Sequence, residues 1–239
     1  MHESGLTPTE PSAKIWRYET LSHLLDELDN GYLHFANAHD FKDTKEGQTP
    51  EAFKMMYRAY CEAMYREHIE YSIEDCMKKF EKQQEQTKYV TFVSCWHLDR
   101  DESLRRWCRY QNRAVAIQST YLDLESEKYD KRKQGMYHVS KVTYVNHLIA
   151  DVSKYHPLTE YTLKDWVYEC ENELRAFCVS PAHNKEQILQ IRIDLDKVLK
   201  RIMISPWASE TVRDKIFKAI KRNGLNIPIQ VSKFRSRTR

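Results

Sequence analysis

Two glutamates, two positions apart, have the residue type and the spacing for catalysis. Glu171 and Glu173 stand at the start of a run, residues 173–179, that is typical of a strand. In an extended segment residues i and i+2 face the same side, so both carboxylates can line one cleft. One can stabilise the positive charge that develops when a glycosidic bond breaks, and the other can orient or deprotonate an acceptor. The alternative is a solvated pair without a chemical role.

Three more polar residues lie on or beside predicted strands. Arg17 falls in a short strand at 15–18, and Ser119 and Thr120 end a strand at 114–118. A guanidinium is a fork of fixed donors that suits a pyrophosphate, and a hydroxyl can support a bound cofactor. Alternatively, Arg17 pairs with a structural carboxylate, and Ser119-Thr120 caps the helix that follows.

Four arginines form a locally basic cluster. They are Arg105, Arg106, Arg109 and Arg113. Such a cluster can contact phosphate, and it can equally be a solvated helix face.

A metal-dependent nuclease is a second interpretation of the acidic residues. The carboxylates available for a Mg²⁺ site are Asp43, Glu46, Glu171 and Glu173. Lys164 or Arg175 would then contact the phosphate. The stretch from Glu171 to Arg175 lacks the lysine of a P-D…E-x-K pattern, which weighs against this interpretation.

A third interpretation is a non-catalytic binding or sensing protein. The aromatic residues that could form the floor of a ligand pocket are Trp96, Trp107, Tyr110 and Trp166. Such residues more often form the core. Glu171 and Arg175 would then be a structural ion pair.

The spacing of apolar residues predicts the elements that must position these side chains. Apolar residues at i, i+3, i+4 and i+7 predict a helix over 21–28, with Gly31 as its left-handed cap. The block 51–86, without Gly or Pro, predicts a helical insertion, either one broken helix or a hairpin of two helices. A strand is expected over 88–96 and a helix over 163–171.

These elements do not alternate strictly as β-α-β units. That order predicts an α+β fold with a mixed, largely antiparallel sheet, flanking helices and the helical insertion. We expect a flexible N-terminal segment at 1–14, one domain at 15–232 and a basic tail at 233–239. A last strand at 227–231 should lie at the sheet edge, because Pro228 cannot donate to a ladder.

Composition excludes several classes of protein. The 239 residues carry 38 Lys and Arg against 35 Asp and Glu, a balance that does not require a nucleic-acid partner. The five glycines are scattered, which excludes a Walker loop and a G-x-G-x-x-G loop. No apolar run is long enough for a transmembrane helix or a signal peptide, and the six cysteines form no C-x-x-C pair. We therefore expect a cytoplasmic protein with reduced thiols and no membrane partner.

Several short motifs follow one another along nearly the whole chain. They are Trp16-Arg17-Tyr18, Gly31-x-Leu33-x-Phe35, Phe41-x-Asp43-x-x-Glu46-Gly47, Ser94-Cys95-Trp96, Glu102-Ser103 with Trp107-x-x-Tyr110, Val115 to Thr120, Val142-x-Tyr144, Tyr168-x-x-Glu171-x-Glu173-x-Arg175 and Ile204-Ser205-Pro206. Their order resembles a bacterial family known as domain of unknown function 2971. The block 51–86 is longer than usual for that family, and Asn112-Arg113-Ala114 lacks the glycine that usually follows the W-x-x-Y motif.

A second resemblance concerns the order of the polar residues. Arg17, then Ser119-Thr120, then Glu171-x-Glu173 is similar to the R, S-T, E-x-E order of ADP-ribosyltransferases, which cleave the nicotinamide–ribose bond of NAD. The resemblance implies Arg17 at the pyrophosphate, Ser119 in support of the cofactor, Glu173 at the ribose and Glu171 at the acceptor. The further cofactor contacts that it implies are Tyr18, Thr120, Trp107 and Tyr110.

The resemblance implies an enzyme on a nucleotide-type substrate. NAD is the expected substrate, no metal is expected, and the acceptor is a protein or a nucleic acid. By analogy with similar proteins, we expect a toxin or a phage-defence effector. If this is right, Arg17, Ser119 and Glu173 should line one cleft.

Overall fold

The computed structural model describes residues 10–41, 47–65, 72–111, 113–127, 137–146 and 157–234. These residues form seven α-helices and eleven strands. The helices are α1 (Leu21–Asn30), α2 (Glu51–Tyr65), α3 (Ile73–Val90), α4 (Leu104–Arg109), α5 (Tyr121–Glu127), α6 (Leu195–Val198) and α7 (Glu210–Arg222). The strands are β1 (Lys14–Glu19), β2 (Tyr32–Asn37), β3 (Thr91–Leu98), β4 (Val115–Thr120), β5 (His138–Lys141), β6 (Thr143–Val145), β7 (Leu163–Asp165), β8 (Glu173–Val179), β9 (Ile188–Arg192), β10 (Arg201–Ile204) and β11 (Ile229–Val231).

Nine of the strands form one mixed, largely antiparallel sheet. Its order is β11-β10-β4-β1-β3-β2-β9, and β8 pairs with β3 on one side and β5 on the other. The pair of β10 and β11 is parallel, and β6 and β7 form a separate parallel pair. Helices flank the sheet, so the predicted α+β class is confirmed. As expected from Pro228, β11 lies at the end of the strand order.

The central strand β3 divides the sheet. One edge of β3 pairs with β8 from Thr91 to His97. The other edge is shared: β1 pairs only with His97 and Leu98, and β2 pairs only with Phe92 and Val93. Residues 94–96 of β3 therefore have no strand partner on that edge among the described residues. We call this gap between β1 and β2 the fork.

The register assigns each side chain to a face, because partners in a ladder point to the same side. Ile15, Ile117 and Leu174 lie on the face that holds the main apolar core. The helical residues packed there are Leu24 and Leu28 of α1, Leu124 of α5, and Ile216, Ala219 and Ile220 of α7. Trp16 and its partner His97 lie on the opposite face, where Trp107 of α4 packs.

The block 51–86 contains parts of two helices, α2 and α3, which is one of the two forms that the sequence leaves open. The rings of Tyr57 on α2 and Phe80 on α3 stack at 4.7 Å between centroids. Helix α3 continues to Val90, so β3 begins at Thr91 and not at Lys88 as expected. Thr91 ends the helix by donating its backbone N–H to the Lys88 carbonyl and its hydroxyl to the Thr87 carbonyl.

The predicted helix at 163–171 is wrong. Residues 163–165 form β7, which pairs with β6, and a 3₁₀ turn, Trp166–Glu171, follows. Asp165 caps this turn by accepting from the Val167 N–H at 3.3 Å. Asn172, at φ 42°, ends it in the left-handed conformation. Tertiary pairing with β6 thus overrides the local helical pattern.

Some expectations fall outside the described residues. They concern 1–9 of the N-terminal segment, Asp43 and Glu46, and 235–239 of the tail. Within the described part of the chain, no helix has the length and apolar character needed to cross a membrane.

Candidate functional site

Glu173 is a buried carboxylate surrounded by hydrogen-bond donors. It begins β8 and is 2 % exposed. Arg175 donates to it from Nε and Nη2, each at 3.1 Å, and Lys164 donates from Nζ at 3.3 Å. The Cys95 thiol adds a further hydrogen bond. Both carboxylate oxygens therefore have cationic partners.

Glu171 lies beside Glu173, at the end of the 3₁₀ turn. Its Oε2 accepts from the same Lys164 at 2.7 Å, and its Oε1 accepts from Arg109 Nη2. Lys164 thus bridges the two carboxylates. They share one cleft, as the alternation of side chains in an extended segment predicts.

The turn before β8 is fixed on the end of β3. Leu98 donates its N–H to the Asn172 carbonyl at 2.8 Å, and the Asn172 amide donates back to the Leu98 carbonyl. The Glu171 carbonyl accepts from Arg106 Nη2 at 2.5 Å and lies 2.9 Å from His97 Nδ1. These long-range contacts hold the backbone on both sides of the two glutamates.

His97 connects this backbone to Tyr110. Burial lowers the pKa of His97, and the positive charge of Arg106 acts in the same direction. The neutral ring therefore donates from Nδ1 to the Glu171 carbonyl, and Nε2, 3.2 Å from the Tyr110 hydroxyl, accepts from it. Sequence reasoning assigned His97 no role, because nothing local distinguishes it from a core histidine.

These residues line one open cavity of about 500 Å³. Its polar lining consists mainly of Arg109, Tyr110, Lys164, Glu171, Glu173 and Arg175. We call it the carboxylate pocket. Of the eight predicted site residues, the pocket brings together Glu171, Glu173 and Tyr110. Its size is that of an ordinary small-molecule site.

Two predicted cofactor residues support the pocket from behind. Tyr18 stacks on Tyr110, with 5.7 Å between the ring centroids, and meets Trp107 edge-on at 4.8 Å. Trp107 is fully buried and donates from Nε1 to Glu102 at 3.0 Å. Tyr18 and Trp107 therefore hold Tyr110 in place, and neither lines the carboxylate pocket.

Arg17 and Ser119 do not converge on Glu173, contrary to expectation. Arg17 and Ser119 lie on the main-core face of the sheet. Glu173 is the cross-strand partner of His97, so both of these side chains lie on the other face. Ser119 is fully buried, and its hydroxyl donates to the Thr120 carbonyl at 3.4 Å. The Thr120 hydroxyl accepts from the Asp123 N–H at 3.2 Å, which is the capping role of the alternative interpretation.

Arg17 closes part of the fork. It donates to Glu27 at 2.5 Å, to Glu19 at 3.0 Å and to Ser94 at 3.1 Å. It also reaches the His34 carbonyl at 3.3 Å. This is the structural ion pair that the sequence left open as an alternative. Arg17 of β1 thereby contacts both β3, at Ser94, and β2, at the His34 carbonyl.

The basic cluster divides among four environments. Arg106 is buried and pairs with Asp99 at 3.1 Å, whereas Arg105 is exposed. Arg109 lines the carboxylate pocket, and Arg113 lines a separate cavity at the fork. Sequence reasoning identified the cluster but not which member reaches the pocket, because that depends on where α4 packs.

The remaining aromatic candidates differ in exposure. Trp96 is fully buried in the main core, and Trp166 is 59 % exposed. Trp96 and Trp107 are thus core residues. Of the four aromatic residues considered for a pocket floor, Tyr110 is the one that lines the carboxylate pocket.

The metal interpretation has little support at this pocket. Lys164 donates to both Glu171 and Glu173, and Arg175 donates to Glu173, so protein donors already occupy the carboxylate oxygens that a Mg²⁺ ion would coordinate. No group of three or more His, Cys, Asp or Glu side chains within the described ranges is arranged to hold a metal ion. The other two acidic candidates, Asp43 and Glu46, belong to the stretch outside those ranges.

The geometry defines an open pocket of balanced charge, with two buried carboxylates that contact cationic side chains and a partly exposed arginine at its rim. Comparison of the chain with models of known families, with curated proteins and with solved structures gives no match.

Proposed function

We propose that this protein is an enzyme that acts on a nucleotide-type substrate in the carboxylate pocket. The observation that carries the proposal is the convergence of Glu171, Glu173 and Tyr110 with the cationic groups of Arg109 and Lys164 in one open cavity. Carboxylates accept hydrogen bonds from sugar hydroxyls, and cations at the rim attract phosphate. A nucleotide carries both groups.

Arg109 is the proposed phosphate contact. Its side chain is 44 % exposed, and one terminal nitrogen donates to Glu171. Its other donors have no partner within the described part of the chain. A guanidinium anchored by one carboxylate keeps a fixed orientation, so its remaining N–H groups can bind a phosphate without further ordering.

Glu173 is the proposed electrostatic group at the sugar. Burial opposes its ionisation, but Arg175 and Lys164 outweigh burial and lower its pKa to about 2. It is therefore a permanent anion at neutral pH. An anion of this kind stabilises the oxocarbenium character that develops as the C1′–N bond of a nucleotide such as NAD breaks.

The bond changes in such a reaction are simple. The bonding electron pair of C1′–N leaves with the nicotinamide ring, which departs neutral. A new bond forms from C1′ to an acceptor nucleophile, whose proton is released to solvent. Since the low pKa of Glu173 makes it a weak base, we assign the orientation of the acceptor to Glu171.

A non-catalytic binding protein is the second candidate. The observation that favours it is the number of donors on Glu173, whose oxygens already accept from Arg175, Lys164 and Cys95. A carboxylate occupied in this way is well suited to fix the shape of a pocket. Binding of a nucleotide without turnover would select this candidate.

The first experiment measures binding and turnover together. Purified full-length protein is titrated with ADP-ribose by calorimetry, and nicotinamide release from NAD is followed with and without cell lysate as a source of acceptors. We expect Arg109→Gln to weaken ADP-ribose binding about tenfold or more, because a charge-assisted contact to phosphate is lost.

Arg105→Gln is the matched control. Arg105 lies on the same helix and is exposed, so its loss changes the net charge equally without touching the pocket. If neither ADP-ribose nor NAD binds while both variants remain folded, the proposed function is wrong. Equal weakening by the two substitutions would also contradict it.

A further inference from the structure

A second, smaller cavity opens at the fork. Its volume is about 230 Å³, which is enough for one small ring system but not for a whole dinucleotide. Its polar side carries Arg17, Glu19 and Arg113, and its apolar wall includes Phe41 and Val93. An apolar cavity with a few convergent polar groups is the usual form of a small-molecule site.

Two buried polar atoms on β1 at this cavity have no hydrogen-bond partner within the described residues. They are Nε of Arg17 and Oε1 of Glu19. The two residues are 8 % and 5 % exposed. A third such atom, Nδ1 of His34, lies 3.2 Å from a Glu27 oxygen. An unpaired buried donor or acceptor costs stability, so the two atoms on β1 call for a ligand or an ordered water.

The rest of each side chain is held in place. Arg17 donates from Nη2 to Glu19 Oε2 at 3.0 Å and to Glu27 at 2.5 Å. Arg17 and Glu19 are two positions apart on β1, so they project from the same face. The unpaired N–H and the unpaired oxygen are therefore neighbours on a rigid strand.

We propose that the fork cavity binds the donor–acceptor edge of a nucleobase, with Arg17 Nε donating to a ring acceptor and Glu19 Oε1 accepting from an adjacent N–H. The apolar wall with Phe41 then contacts the face of the ring. This inference rests on the proposed function, since it places the base of the same nucleotide-type ligand whose phosphate contacts Arg109.

The two cavities are adjacent. Phe41 and Cys95 line both of them. Cys95 lies on β3 beside the fork, and its thiol forms a hydrogen bond with Glu173. One ligand can therefore extend past Cys95, with its base in the fork and its sugar and phosphate at the carboxylates. This gives Arg17 a role in ligand binding although it does not meet Glu173.

The ionisation of Glu19 provides an independent readout. Burial raises the pKa of Glu19 to about 8 against the pull of Arg17. The charged and titratable groups around it are Arg17 on β1, His23 and Glu27 on α1, His34 on β2, Cys95 on β3 and Arg113 before β4. A base that donates to Oε1 favours the ionised form, so binding strengthens as pH rises through the pKa.

The test compares ligands with and without a base. Purified full-length protein is titrated with ribose 5-phosphate, with the four ribonucleoside 5′-monophosphates and with the free nucleosides. We expect at least one nucleotide to bind about tenfold or more tightly than ribose 5-phosphate, since two hydrogen bonds and a ring contact are added. This gain should grow between pH 6.5 and pH 8.5.

Glu19→Gln is the decisive variant. The carbonyl of the introduced amide accepts from Arg17 Nη2, so its NH₂ group takes the place of the unpaired oxygen, and the base then meets a donor where it needs an acceptor. The amide has the shape of the carboxyl group and keeps the hydrogen bond to Arg17, so the fold should persist, which circular dichroism checks. Binding is compared at pH 8.5, above the pKa of Glu19. Glu186→Gln, at an exposed position, is the control.

The outcomes separate the two proposals. Loss of the base-dependent gain in Glu19→Gln, with ribose 5-phosphate affinity unchanged, supports the fork site. A gain that survives this substitution, or nucleotides no tighter than ribose 5-phosphate, overturns it while leaving the proposed function intact. If ribose 5-phosphate and ADP-ribose do not bind but nucleosides bind in a Glu19-dependent way, the sugar and phosphate contacts proposed for the carboxylate pocket are wrong, and the base contact at the fork is supported by itself.

Discussion

At Glu173 burial and charge act on the same carboxylate in opposite directions. Burial alone would favour the protonated form, yet Arg175 and Lys164 outweigh it, and the pKa falls to about 2 from an ordinary 4.5. A lowered pKa in the folded state means that the folded protein binds fewer protons than the unfolded chain. The ion pair therefore stabilises the fold above pH 4.5, and this contribution is lost as the pH falls towards 2.

This linkage predicts the behaviour of Glu173→Gln. The variant leaves two buried cations without their shared anion, so we expect it to be less stable by about 3 kcal/mol at pH 7. The difference should shrink as the pH is lowered from 4.5 towards 2, because the wild-type carboxyl becomes protonated. Urea unfolding over this pH range measures it.

Glu169→Gln is the matched substitution at an exposed position on the 3₁₀ turn that precedes β8. It should change stability by less than about 0.5 kcal/mol at every pH. A constant difference between wild type and Glu173→Gln across the whole range would contradict the ion-pair account.

Among the elements, the link between α1 and β2 determines how the fork is closed. Gly31 ends α1 at φ 72°, and its N–H donates to the Glu27 carbonyl at 2.9 Å. The tight turn brings Glu27 back to the start of β2, where it accepts from the His34 N–H at 2.8 Å and from Arg17. The Gly31 cap of α1 thus places Glu27 where it can pair with Arg17.

The cap predicts the cost of replacing Gly31. A Cβ at this position meets only Arg192 Nη1, at 4.0 Å, so space is not limiting. The left-handed backbone alone should make Gly31→Ala less stable by about 1 kcal/mol. Gly31→Asn should cost less, since Asn tolerates this conformation. Thermal unfolding distinguishes them, and an equal loss in both variants would contradict the backbone explanation.

For the molecule as a whole, strand pairing and buried apolar contacts are concentrated around β3. This strand pairs with β1, β2 and β8, and its Phe92 and Trp96 are fully buried in the main core. Helix α2, by contrast, exposes Met55 and Tyr60. Regions with few buried apolar contacts open locally with the smallest free energy.

This difference predicts the pattern of amide hydrogen exchange. Amides of β3 and β8 should exchange most slowly, at the rate of global unfolding, and those of α2 should exchange at least about tenfold faster. Mass spectrometry of peptides from each element measures both. Equal protection of α2 and β3 would contradict this expectation, because it would show that α2 unfolds only together with the sheet.

Local patterns of the sequence account for the elements and for one pair of site residues. Helix α1 and strand β8 follow from side-chain spacing over a few residues, and so does the shared cleft of Glu171 and Glu173. Apolar periodicity is a local property, so no long-range information is needed. The α+β class follows in the same way from the order of the elements.

Only the tertiary structure decided what surrounds that pair. Arg109 reaches Glu171 across 62 positions of sequence, and Ser94 binds Arg17 across 77. The fork exists because β1 and β2 share one edge of β3 without meeting, which no local pattern encodes. A buried charge needs a partner, and strand register and helix packing determine which distant residue supplies it. Residue types alone do not determine these pairs.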